Sequence, residues 1–133
     1  MLHDTVDRAN IEEMVHEFYT IILKDELVGP VFIKALGSDL NGGKWYEHLS
    51  TLYNFWMLMM TGKIGYGGHP YPPHAFLGRL TPEMFERWLL LFHEVVHRLY
   101  VTEVADKFYT KANMLANQFM DNLGLFDEDE DDD

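Results

Sequence analysis

The chain of 133 residues has the length of one domain, and its 47% hydrophobic fraction, with 9 Phe, 7 Tyr and 3 Trp, supplies a core of its own. No apolar run reaches the ~18 residues of a membrane-spanning helix, and the absence of cysteine excludes disulfides, thiolate metal ligands and thioether-linked cofactors. Of the net charge of −12, seven charges belong to the unbroken acidic run 127–133, which leaves −5 on the body; nucleic acid and anionic membranes need a basic face and are not expected partners.

The opening MLHDTVDRAN has neither a basic head nor an apolar core, so no secretory signal is expected and a reducing cytoplasm is the expected setting. Asn10 followed by Glu13 reads as a capping pair, and Ile11, Met14, Val15, Phe18 and Ile22 follow at the spacing of one buried helical stripe. Tyr19 sits beside that stripe, where its ring can be buried but its hydroxyl must find a partner. Gly29-Pro30 then interrupts the pattern, and Val31, Phe32 and Ile33 predict a short helical turn against the core.

A second long helix is predicted from near Lys44 to Gly62. Trp45, His48, Leu49, Leu52, Phe55, Trp56 and Met59 define an apolar face with one histidine embedded in it. The plain reading of His48 is a core histidine bonded to a carbonyl.

The stretch from Gly62 to Pro82 combines Gly62, Gly65, Gly67 and Gly68 with Pro70, Pro72 and Pro73 and cannot hold a long helix. It is a connector, yet it carries His69, His74, Tyr66, Tyr71, Phe76 and Leu77 between the two most apolar helical patterns. Stiffened by prolines, such a loop can hold one side chain, His74, against something buried.

Thr81-Pro82-Glu83 is a capped helix start, with proline and an acid in the first turn. That helix runs to about Tyr100, with Phe85, Trp88, Leu89, Phe92, Val95, Val96 and Leu99 on one face. A last helix over 102–122 carries Val104, Phe108, Leu115, Phe119 and Leu123, and Gly124 stops it. Nothing alternates like a strand. The expected fold class is all-α, with about four substantial helices in two antiparallel pairs.

His93-Glu94-Val95-Val96-His97 matches H-E-x-x-H, the zinc-peptidase signature. At 100° per residue from Trp88, the apolar face of this helix lies between about −20° and 100°, whereas His93 falls near ~140° and His97 near ~180°. Both histidines therefore point away from the core toward a solvated face, and a zinc metallopeptidase stays a remote alternative.

His48, His74, Tyr19 and Trp88 come from four separate elements, and each can reach one central pocket. A planar apolar cofactor held between helix pairs would use them all: iron in haem takes one imidazole on one side, and a bound diatomic takes hydrogen-bond donors on the other. In Phe18-Tyr19, DELVGPVF at 25–32, Trp45-x-x-His48-Leu49, Phe55-Trp56, the Gly/Pro segment ending in His74 and Phe85-x-x-Trp88-Leu89-x-Leu91-Phe92, in this order and spacing, the sequence resembles the truncated haemoglobins, and within them group III, over about residues 10–122.

That resemblance implies a shortened, globin-like two-over-two helical sandwich over residues 1–126 around non-covalent haem b, followed by an acidic disordered tail over 127–133. It implies His74 as the iron ligand and Tyr19 and Trp88 as distal donors. Phe18, His48 and Leu52 complete the distal side, and Phe32, Leu49, Arg79 and Phe92 join them in contact with the haem. The partners implied are oxygen, carbon monoxide and nitric oxide, with a reductase and a monomeric state expected. Oxygen binding of high affinity, with nitric oxide oxidation as an associated reaction, is the expected function. A peroxidase-like haem enzyme is the alternative. Asp and Glu are absent within three residues of His74, which leaves the proximal carboxylate typical of peroxidases to be supplied from elsewhere.

Overall fold

The computed structural model describes residues 1–62 and 81–122. Five helices are seen there: α1 (Arg8–Lys24), α2 (Gly29–Leu36), α3 (Gly43–Thr61), α4 (Pro82–Leu99) and α5 (Thr102–Asn122). Among the described residues the only β-type pairing is an isolated bridge between His3 and Tyr100, and no helix is long and apolar enough to cross a membrane.

The start of α1 differs from the sequence expectation. Asp7 caps it: the Asp7 carboxylate accepts from the Asn10 amide at 2.8 Å, and the Asn10 side chain accepts from the Asp7 amide at 3.1 Å. Asn10 is therefore the inner member of the capping box rather than the cap, because its carboxamide is already committed to neighbouring chain. Its nitrogen donates to the Thr5 carbonyl, and its oxygen accepts from the buried Tyr100 hydroxyl at 2.9 Å.

α2 is two turns long, not one. The Asp25 carboxylate accepts from the Leu27 and Val28 amides and starts it, and Pro30 is tolerated in the first turn because its missing N–H would have no helical partner there. A Cβ at Gly29 would lie 2.9 Å from both the Ile22 and Leu23 carbonyl oxygens, so glycine is what lets α2 sit directly on the end of α1. The Trp45 indole donates to the Gly37 carbonyl at 2.7 Å and ties the start of α3 to the end of α2. α3 ends where Gly62 takes φ 73°, the left-handed geometry that glycine adopts without penalty.

Contacts along the helices run in opposite directions, which makes the pairs antiparallel. Arg8 meets Asn54 at one end of α1 and α3, and Tyr19 meets Trp45 at the other. On α4 and α5, His97 meets Asp106 near the corner, while Phe85 packs with Ala116 and Met120 at the far end. Layer joins layer where α1 crosses α4, through Glu17–Arg98 and Asp25–Arg87, and where Trp56 of α3 meets Phe108 of α5. This is the expected all-α sandwich of two antiparallel pairs.

Candidate functional site

Between the main core and the smaller cluster of Phe85, Ala116 and Met120 lies an apolar cavity. Each of the five described helices contributes to its wall, α2 together with the turn that leads into it. α1 gives Tyr19; the turn into α2 gives Val28, Val31 and Phe32; α3 gives Leu52, Phe55 and Trp56. α4 adds Met84, Phe85 and Trp88, and α5 adds Leu115, Ala116 and Phe119. Among the described residues the lining is apolar except at one corner.

That corner is made by Tyr19 and Trp88. Tyr19 is 2% exposed, and burial raises its hydroxyl far above the ordinary value of 10; a hydrogen bond from the Trp88 indole acts in the opposite direction but does not offset it. Tyr19 is thus a neutral phenol at any physiological pH. The indole has a donor and no acceptor, so the Tyr19 oxygen accepts this bond and the phenol keeps its own proton to donate.

Aromatic rings fix both groups. Tyr19 is held by Phe32 at 5.4 Å, Trp45 at 5.5 Å and Phe18 at 4.9 Å. Trp88 lies parallel to Phe92 at 5.5 Å with an interplanar angle of 4°, and Phe18 meets it edge-on at 5.3 Å. Phe92 in turn stacks on Trp56 at 5.1 Å.

Of the residues expected at the site, Tyr19, Phe32, Leu52 and Trp88 line the cavity. Phe18 and Phe92 are buried behind the lining and pack against Trp88, and Leu49 is buried in the core. His48 is buried beside Tyr19, edge-on at 6.1 Å, and packs against Trp45. His74 and Arg79, together with His69, Tyr66 and the rest of the Gly/Pro connector, lie outside the described residues, as do Leu123, Gly124 and the acidic run.

The sequence reading took Phe55 and Trp56 chiefly as core and left Met84, Phe85 and the α5 residues unassigned to any site. A helical stripe marks a side chain as buried but carries no sign of whether it meets other side chains or a space. For Leu115 and Phe119 the only signal was membership of such a stripe.

His93 and His97 were expected on a solvated face, and both are half-buried instead, because α5 packs over that side of α4. Their rings stack at 4.0 Å, and Tyr109 meets His93 edge-on. The two ring nitrogens of His97 face the His93 carbonyl and the Asp106 carboxylate, each at 2.9 Å. Among the described residues no group of three or more His, Asp or Glu side chains is arranged to hold a metal ion.

No family model matches the chain. It is 32% identical over 123 residues to the group 3 truncated haemoglobin of Campylobacter jejuni, covering 92% of this chain and 95% of that protein. It also superimposes on the crystal structure of the group III truncated haemoglobin from Campylobacter jejuni with a TM-score of 0.81, at 32% identity and with 92% and 95% of the two chains covered.

Proposed function

Because the chain belongs to the group III truncated haemoglobins, globin-type haem proteins that bind diatomic gases, we propose that the apolar cavity takes haem b without a covalent bond, with His74 as the iron ligand. The residues present fit such a group. A flat, largely hydrocarbon ring system matches a wall of Phe, Trp, Leu, Val and Met, and one polar corner is left for a small ligand. Such a group would supply an iron centre for a diatomic gas, with chemistry that would polarise oxygen toward negative charge.

The remaining work belongs to the side chains. Tyr19 presents a phenol proton, and Trp88 orients and polarises that phenol. Phe32, Leu52 and Trp56 exclude water. In a site with little water, a hydrogen bond to a charged acceptor is worth about 1.5–3 kcal/mol, or about 10- to 150-fold in affinity. Carbon monoxide carries little charge and gains far less.

The function supported best is binding of oxygen with high affinity through slow release. A protein that releases oxygen slowly is poorly suited to delivery and better suited to consuming the gas, for which nitric oxide is a fitting co-substrate. The observation that carries this reading is the buried Tyr19 hydroxyl beside Trp88, at the polar corner that the described residues give the cavity. The absorption spectrum of the purified protein after addition of haemin tests the cofactor: a sharp band near ~400 nm is expected, displaced or lost in His74→Ala. No band, or the same spectrum in the variant, would contradict it.

A further inference from the structure

We propose that Asp25 and Arg87 act together as positioning residues that set how Trp88 meets Tyr19, and so tune the discrimination between oxygen and carbon monoxide; the tuning half of this rests on the gas-binding reading above. Asp25 stands at a junction of three helices. It follows the last residue of α1, and one carboxylate oxygen accepts from the Leu27 and Val28 amides at 3.0 Å each, which fixes the entry into α2. The other oxygen faces the Arg87 guanidinium of α4 at 3.4 Å. The carboxylate side chain is 10% exposed, whereas the Arg87 side chain is 46% exposed.

Arg87 immediately precedes Trp88. A pin at position 87 therefore limits the slide and roll of α4 against α1 next to the indole that shares the cavity wall with Tyr19. The same junction also sets α2, which carries Phe32 into contact with the Tyr19 ring, and Gly29 leaves that helix no slack against the Ile22 and Leu23 carbonyls. The three side chains that shape the polar corner, Tyr19, Phe32 and Trp88, thus belong to three helices joined at one carboxylate. Phe18 of α1 meets the Trp88 ring directly, and of the two ion pairs that link this end of the chain to α4, Asp25–Arg87 lies nearer to Trp88 than Glu17–Arg98, which is more than two turns away along α4.

Asn at position 25 keeps an oxygen for the two amides but loses the charge that holds Arg87, so Asp25→Asn separates the pin from the helix start. Asp25→Asn, Arg87→Gln and the double variant are compared in the full-length, haem-loaded ferrous protein, in the native and Trp88→Phe backgrounds. Two readouts are taken: the ratio of oxygen to carbon monoxide release rates, and the indole N–H resonance of Trp88 in the carbon monoxide complex. Each single variant is expected to move the resonance and to change the ratio about three- to tenfold, the double variant no more than the singles, and the change in ratio is expected to vanish in Trp88→Phe.

An unmoved resonance overturns the proposal, as does a ratio within twofold of native when Tyr19→Phe changes it, or an equal change in the Trp88→Phe background. If Tyr19→Phe itself leaves the ratio unchanged, the gas-binding reading is what falls, and the resonance alone decides whether Asp25 and Arg87 place the indole.

Discussion

Tyr19 on α1 and Trp88 on α4 are the polar side chains that line the cavity among the described residues, and the indole acts on the phenol oxygen as a donor. Because an indole can only donate, the bond leaves the phenol proton directed elsewhere, and burial keeps that proton in place by raising the hydroxyl far above its ordinary value of 10. Oxygen release should therefore be flat between about pH 6 and pH 9 as far as Tyr19 is concerned. Stopped-flow release rates across this range check it; a titration that disappears in Tyr19→Phe would show the phenol ionising there.

The same direction of shift sets a stability prediction. Burial raises both Tyr19 and Tyr100 in the folded chain, and Glu13 and Asp7 add to the effect at Tyr100. A group whose folded value is raised binds more protons folded than unfolded, so its contribution is complete below the unfolded value of 10 and is lost as the pH climbs through the folded one. Denaturant melts at pH 8, 10 and 11 should show stability falling only above pH ~10, with a shallower fall in Tyr100→Phe.

Asn10 is a hub whose two ends are unequal. Its oxygen serves both the Asp7 amide and the Tyr100 hydroxyl, and its nitrogen serves the Thr5 carbonyl. Asn10→Ala strands a buried hydroxyl and undoes the capping box, and should cost about 2–4 kcal/mol. Tyr100→Phe removes only the donor and should cost about 0.5–1.5 kcal/mol. Urea melts of the two variants rank them, and equal costs would contradict the assignment of Asn10 as the shared acceptor.

Much of this was legible in the sequence. The stripe Ile11–Met14–Val15–Phe18–Ile22 marked the buried side of α1, and Thr81-Pro82-Glu83 placed the start of α4 correctly, since these signals act within a turn or two of chain. The Asp7 cap was missed because Asp7 and Asn10 form a reciprocal pair one step upstream of the pattern that Asn10 and Glu13 suggested. His93 and His97 were misplaced for a different reason: a helical wheel measures angle from the apolar stripe and knows nothing of a neighbouring helix, and α5 covers that flank through Asp106 and Tyr109. At the site, Tyr19 and Trp88 line the cavity, and Phe18 and Phe92 pack against Trp88 from behind. Which buried ring faces a space is decided by packing across four helices, and no local pattern encodes it.

Two glycines at helix starts should respond oppositely to alanine. At Gly29 a methyl group meets the Ile22 and Leu23 carbonyls at 2.9 Å, and both are backbone, so α2 must move; Gly29→Ala should cost about 1–3 kcal/mol. At Gly43 nothing lies within 4 Å, and Gly43→Ala should be neutral or stabilise by up to about 1 kcal/mol. Thermal melts of the two variants provide the comparison, and a harmless Gly29→Ala would show that α2 does not rest on the end of α1.

The claim on which the rest depends is that the phenol at position 19 donates to a gas held in this cavity. Oxygen and carbon monoxide release rates of the ferrous, haem-loaded Tyr19→Phe variant test it most directly. The account predicts oxygen release faster by about 10- to 150-fold and carbon monoxide release changed by about twofold or less. Equal acceleration of both gases, or no acceleration of either, would contradict it.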